Sequence, residues 1–191
     1  MCNSLLLRPL IPNRLFILIA AGLVFVLALF YLLGQKSLEL RVVPVKGGPA
    51  LLVLPLEIDE RFTIYYLHSV ENAPIWETHS IDEAGRIYIE EERYLKFGAG
   101  MGRMPGVGRM VHRNGFEVIE NMHMPTGNFI LRIGSPGVDH TVIWRRSRVN
   151  LSAVAPHVAV LFSAEAVSRG YRLMRRLWPH PATPIDTTGK Q

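Results

Sequence analysis

The hydrophobic pattern divides the chain at once. Residues 15–33, LFILIAAGLVFVLALFYLL, form a run of nineteen without a charge, interrupted only by the small Gly22. As a helix rising about 1.5 Å per residue the run reaches about 28 Å, close to the ~30 Å hydrocarbon core of a bilayer, and it predicts one membrane-spanning helix. After residue 37 the apolar positions become alternate. Leu38, Leu40 and Val42 alternate with charged residues, residues 51–56 are a second apolar run, and Lys46-Gly47-Gly48-Pro49 separates the two as a turn. Residues 62–70 are rich in β-branched and aromatic side chains, residues 74–81 alternate, and residues 85–92 follow a turn after Asp82, which together predict a meander.

A glycine-rich stretch over residues 97–108 interrupts the alternation and predicts a loop. Strands resume over 110–113, the Asn114-Gly115 hairpin signal, 116–121, 128–133 and 140–145, with two short ones expected at 149–151 and 158–162. Without a repeated βαβ alternation, this spacing predicts a mainly β fold, an antiparallel sandwich or a barrel-like domain. Only the C-terminal part reads as helical. Over residues 164–178, Val167, Tyr171, Met174 and Trp178 recur at helical spacing, while Arg169, Arg172, Arg175 and Arg176 lie mostly elsewhere around the helix. This basic amphipathic helix is expected to pack on the sheet, with contact to lipid headgroups or a partner groove as the alternative. The expected organisation is an anchor over 1–36, a β domain over 37–163, and a helix with a flexible tail over 164–191.

Charge sets the orientation. Arg8 and Arg14 precede the apolar run with no acidic residue near them, while Lys36 on its far side is followed by Glu39, which favours a cytoplasmic N-terminus and an extracytoplasmic domain at the inner membrane. A cleaved secretory signal is the rival. The run exceeds the usual signal length, and Phe30-Tyr31-Leu32-Leu33-Gly34 lacks a small-x-small cleavage pattern, so an uncleaved anchor is the reading taken. The net charge of +5 and pI near 9.7 bring no nucleic-acid motif with them and suit anionic headgroups or a solvated surface. Cys2 is the single cysteine and precedes the anchor, so the β domain has no thiol for a disulfide or a metal.

The candidate chemistry lies in the first hairpin of the meander. Phe62, Ile64, Tyr66, His68 and Val70 share one face of their strand, and Ile75, Glu77, His79 and Ile81 share one face of the next. A common core fixes the pairing parity, and the middle register, turning at Asn72-Ala73, sets His68 opposite Glu77 with His79 diagonal to it. A carboxylate and two imidazoles among apolar residues are costly to bury unless paired. The trio therefore reads as an internally bonded polar network, a ligand or metal site, or a general base beside Ser69, although Ser69 points to the opposite face. Gly98 and Gly100 offer unobstructed backbone amides to a ligand, but no helix or GK[ST] ending follows to make a nucleotide loop. Met101, Met104, Met110, His112, Met122, His123 and Met124 have the softness for Cu(I) but irregular spacing, and they read as core and loop filling. No cofactor signature is present.

The pattern Phe62-x-Ile64-x-Tyr66-x-His68-Ser69-Val70, then Pro74-x-x-Glu77, then Phe97-Gly98-Ala99-Gly100, resembles a small prokaryotic domain-of-unknown-function family. The similarity spans about residues 38–163. Members of that family are encoded beside, or fused to, the membrane subunit of TAXI-type TRAP transporters, which work with an extracytoplasmic solute-binding protein. The resemblance implies a membrane-anchored, non-catalytic accessory protein whose partners are that subunit or its binding protein, together with the bilayer. The family has no established catalytic residues to carry over. The stretch 101–108 and the basic segment after Ser163 depart from its pattern.

Overall fold

The computed structural model describes residues 13–96, 98 and 106–177. Helix α1 (Asn13–Gly34) covers the apolar run and is the one helix among these residues long and apolar enough to cross a membrane; none of that span is buried. A core helix of a water-soluble fold would bury its apolar side chains, so an anchor or a signal sequence are the two roles left.

Twelve strands follow: β1 (Lys36–Pro44), β2 (Leu52–Leu56), β3 (Phe62–His68), β4 (Ala73–Ile81), β5 (Ile87–Tyr94), β6 (Arg109–Arg113), β7 (Phe116–Glu120), β8 (Met124–Pro125), β9 (Phe129–Arg132), β10 (Thr141–Trp144), β11 (Ser147–Asn150) and β12 (Ala159–Ser168). They form two open antiparallel sheets, a sandwich and not a closed barrel. The smaller runs β2-β1-β12-β9, and the larger runs β11-β10-β3-β4-β5-β7-β6 with β8 on β5. The expected meander is β3-β4-β5. Asn114 and Gly115, at φ +52° and +81°, make the hairpin turn between β6 and β7 that their sequence signals. Residues 149–151 divide differently from the expectation, because Asn150 ends β11 and its side chain caps the short α2 (Leu151–Val154), accepting from the Ala153 N–H at 3.0 Å.

The alternation in sequence becomes the core by period two. Leu40 and Val42 of β1, Val160 and Phe162 of β12, and Leu56 of β2 face Phe62, Ile64, Ile81, Ile87 and Val142 across the sandwich, each at most 1% exposed. Each such side chain contributes about 1.5–3 kcal/mol. A second cluster of Ile75, Tyr94 and Ile119, backed by Met110 and Met122, lies on the large sheet, and Tyr66 packs against both clusters. Met110 and Met122 are thus packing residues, while Met101 and Met104 fall outside the described residues.

The C-terminal helix is shorter than its periodicity predicts. Residues 164–168 continue β12 and pair with β1 as far as Lys36↔Ser168, so helix α3 is Arg169–Leu177. Pairing with a whole strand outweighs the helical preference of Ala164, Glu165 and Ala166. Nor does α3 lie on the sheet with its apolar side chains inward. It rests on the end of α1, where Gly170 abuts Leu33, and Tyr171, Leu173, Met174 and Leu177 are 49–75% exposed. Trp178 lies outside the described residues.

Candidate functional site

The register of the β3–β4 hairpin decides which side chains meet. Phe62 pairs with His79, Ile64 with Glu77, Tyr66 with Ile75 and His68 with Ala73. The parity is as expected, but the turn is centred two residues earlier than Asn72-Ala73. His68 causes this. Its carbonyl accepts from the Asn72 N–H at 2.9 Å, its Nδ1 accepts from the Glu71 N–H at 3.3 Å, and Asn72 takes a left-handed φ of +48°, closing the loop directly after β3. Glu77 is four positions further along β4, about 13 Å at strand spacing, so His68 does not face it.

The candidate residues therefore fall in two places. His68, exposed Ser69 and Gly98 gather at the hairpin tip around Glu71, whose carboxylate a Cβ on Gly98 would strike. Gly100 lies outside the described residues. Glu77 and His79 lie on the inner face of β4, with His79 Nε2 3.7 Å from Glu77 Oε2. The His68/Glu77/His79 trio is not assembled, and among the described residues no three His, Cys, Asp or Glu side chains are placed to hold a metal.

Glu77 has a different partner. A β-bulge between Thr78 and His79 brings Glu92 of β5 directly opposite Glu77, so two carboxyl groups stand side by side on the inner face. Each is capped by a tyrosine: Tyr66 Oη donates to Glu77 Oε1 at 2.8 Å, and Tyr94 Oη donates to Glu92 Oε2. Burial pushes the Glu92 carboxyl above the usual carboxylate range and the neighbouring Glu77 adds to this, against the opposing bond from Tyr94. Burial, then the charge of Glu77, raises Tyr66, and burial with the Glu92 bond raises Tyr94, so both phenols stay protonated donors. His140 stacks on Tyr66 at 5.0 Å, and burial lowers its pKa against the pull of Glu77. His79 is 3% exposed, and neither ring nitrogen has a hydrogen-bond partner among the described residues. It is clamped instead between Phe62 at 5.1 Å and Phe129 at 5.4 Å, in a column that Phe162 extends across the two sheets. The arrangement sets two carboxyl groups on opposed positions, each taking a phenol donor. It holds no nucleophile paired with a base.

Residues 62–151 match the family model of a domain of unknown function, DUF1850. That segment is similar to the DUF1850 family. Comparison with curated proteins and with solved structures gives no match. The DUF1850 match covers the whole large sheet and β9, and it contains Tyr66, Glu77, His79, Glu92, Tyr94 and His140. Strands β1, β2 and β12 lie outside the match yet complete the sandwich, so the folded unit is larger than the matched DUF1850 segment.

Sequence periodicity finds Glu77 and His79 but misses Glu92 and Tyr94. Strict alternation through Ile87 and Ile89 assigns the inner face to Glu91 and Arg93, and the bulge moves it to Glu92 and Tyr94. The run Glu90-Glu91-Glu92, three acids within a strand, was the available signal.

Proposed function

We propose that this protein is a membrane-anchored, non-catalytic accessory component of a TRAP-type solute uptake system, its DUF1850-like domain held outside the cytoplasm beside the transporter's membrane subunit. The observation that carries this reading is how the sandwich is mounted. Only Gln35 separates α1 from β1, the Arg169 N–H donates to the Gln35 carbonyl at 2.9 Å, and Gly170 packs on Leu33. A flexible tether lets a domain roam. This double attachment supports a domain of set height and tilt against the bilayer, which suits work on a neighbour in the same membrane. Arg8 and Arg14 before the span support an N-terminus in the cytoplasm, and the link to transport rests on the family resemblance.

A surface suited to a protein partner lies on the outer face of the large sheet. Trp76 contacts Tyr65 at 5.4 Å and Phe116 edge-on at 5.5 Å, with the Arg148 and Arg93 guanidiniums 5.9 and 5.8 Å from the Tyr65 and Phe116 rings. Aromatic and arginine side chains dominate binding energy at protein interfaces. Co-purification of the full-length chain with the permease subunits in mild detergent tests the proposal, with Trp76→Ala expected to weaken it. A chain that elutes alone, and whose deletion leaves uptake unchanged, refutes it.

A further inference from the structure

The end of the sandwich nearest α1 carries a groove of about 610 Å³, edged by Lys36, Arg169, Arg172, Arg145, Glu57 and Glu83 over an apolar floor. Its depth relative to a bilayer follows from α1. The helix has 22 residues, and at about 1.5 Å each it spans the ~30 Å hydrocarbon core, leaving its C-terminal end among the headgroups. Lys36 follows immediately. Arg169 is held at the same level by its backbone bond to Gln35. Phe30 and Tyr31, each 72% exposed near that end of α1, have the aromatic character of an interfacial belt, and the exposed Tyr171, Met174 and Leu177 of α3 extend it.

The ion pairing in the groove is uneven. Arg172 is committed: its guanidinium donates to the Leu38 carbonyl at 2.7 Å and lies 3.4 Å from the buried Glu39. Arg145 is held by Glu60 at 2.6 and 3.0 Å. Among the described residues Lys36 and Arg169 make no salt bridge, and neither do Glu57 and Glu83; all four are exposed. Two cations and two carboxylates that make no salt bridge among the described residues therefore rim one groove, with Lys36 and Arg169 at headgroup depth and Glu57 also attracted by the Arg145 guanidinium.

We propose that the groove binds the headgroup of an aminophospholipid of the phosphatidylethanolamine class, with its phosphate on Lys36 and Arg169 and its ammonium on Glu57 and Glu83. A purely anionic headgroup satisfies the cations and leaves the carboxylates facing its negative charge. A choline headgroup has no N–H to donate to them. The inference rests on α1 being an uncleaved span, as the proposed function also requires.

The test is native mass spectrometry of the full-length, delipidated chain in detergent, titrated with phosphatidylethanolamine, phosphatidylglycerol and phosphatidylcholine of equal chain length. One charge-assisted hydrogen bond predicts about a tenfold preference for the ethanolamine lipid. Lys36→Gln with Arg169→Gln should abolish that preference by weakening binding, whereas Glu57→Gln with Glu83→Gln should shift it towards the glycerol lipid. Equal adducts for all three lipids on a chain of intact mass, unchanged by Lys36→Gln with Arg169→Gln, overturn this inference alone. Equal competition by soluble O-phosphoethanolamine also overturns it, assigning the groove to a soluble ligand. Recovery from membranes of a chain lacking α1 overturns the anchor reading, and this inference with it.

Discussion

Replacing His79 with phenylalanine should make the protein more stable. The imidazole is 3% exposed, neither nitrogen makes a hydrogen bond among the described residues, and its rings on both sides, Phe62 and Phe129, lie nearly parallel to it at 15° and 19°. A buried polar group without a partner costs about 1–3 kcal/mol, and the imidazole presents both a donor and an acceptor. Glu77 offsets part of this, but at 3.7 Å it is beyond hydrogen-bonding distance and its side chain is 26% exposed, so the attraction is screened. Phenylalanine keeps the stack and adds a little volume, and overpacking takes back up to about 1–3 kcal/mol if the column cannot adjust. The expected net gain is about 1–2 kcal/mol. Urea unfolding of the full-length chain in mild detergent, followed by tryptophan fluorescence, should move the midpoint up by about 0.5–1 M with the slope unchanged. A loss of 1 kcal/mol or more in His79→Phe refutes the reasoning.

Glu92→Gln should raise stability at neutral pH by about 0.5 kcal/mol, since like charges opposite each other across strands destabilise. Native Glu92 keeps its proton where the unfolded chain has lost one, so its contribution is present at low pH and disappears as pH rises through its raised pKa; the Glu92→Gln variant should lack that slope in pH-dependent urea curves. Glu60 behaves oppositely. Burial pushes it up, but the Arg145 guanidinium and the Glu57 N–H prevail and hold it below the usual range, so its contribution is lost as pH falls through that lowered value. Glu60→Ala should cost about 1–2 kcal/mol and move the fluorescence of Trp144, whose indole N–H donates to Glu60 at 3.0 Å. Gly108→Ala should cost about 1–3 kcal/mol in the same assay, because the glycine sits at φ +65° and a Cβ would come within 2.8–2.9 Å of Met122, Ile119 and the Glu120 carbonyl.

How far the sequence reaches depends on which interactions decide each element. The strands of the sandwich were legible because their faces are set by local alternation, as at Leu38, Leu40 and Val42, and because Asn114-Gly115 specifies its own turn. The hairpin parity was legible for the same reason. Its register was not, since two backbone bonds at His68 and the left-handed Asn72 fix the turn, and neither leaves a mark in the apolar pattern. Glu92 escaped because one bulged residue reverses the alternation that reveals a face. Residues 164–168 read as helix because their partner, β1, is far away in sequence, and periodicity sees only neighbours. The same separation hid the groove, whose rim is drawn from five distant segments of the chain.

That long separation also orders events during synthesis. Ser37 bonds to Val167 across 130 positions, so β1 leaves the ribosome long before the strand that completes its pairing. At about 5–20 residues per second the wait is roughly 6–25 s. The large sheet waits less, because β3–β8, β10 and β11 pair among themselves, with Thr63 and Ile143 on β3 and β10 the far-separated partners, and all of them are made before β12. The sheet bearing Glu77 and Glu92 can therefore assemble first, while β1 waits beside the membrane for β12. Closing β1 against β12 is the step that brings Arg169 to Gln35, so the domain docks on its anchor last.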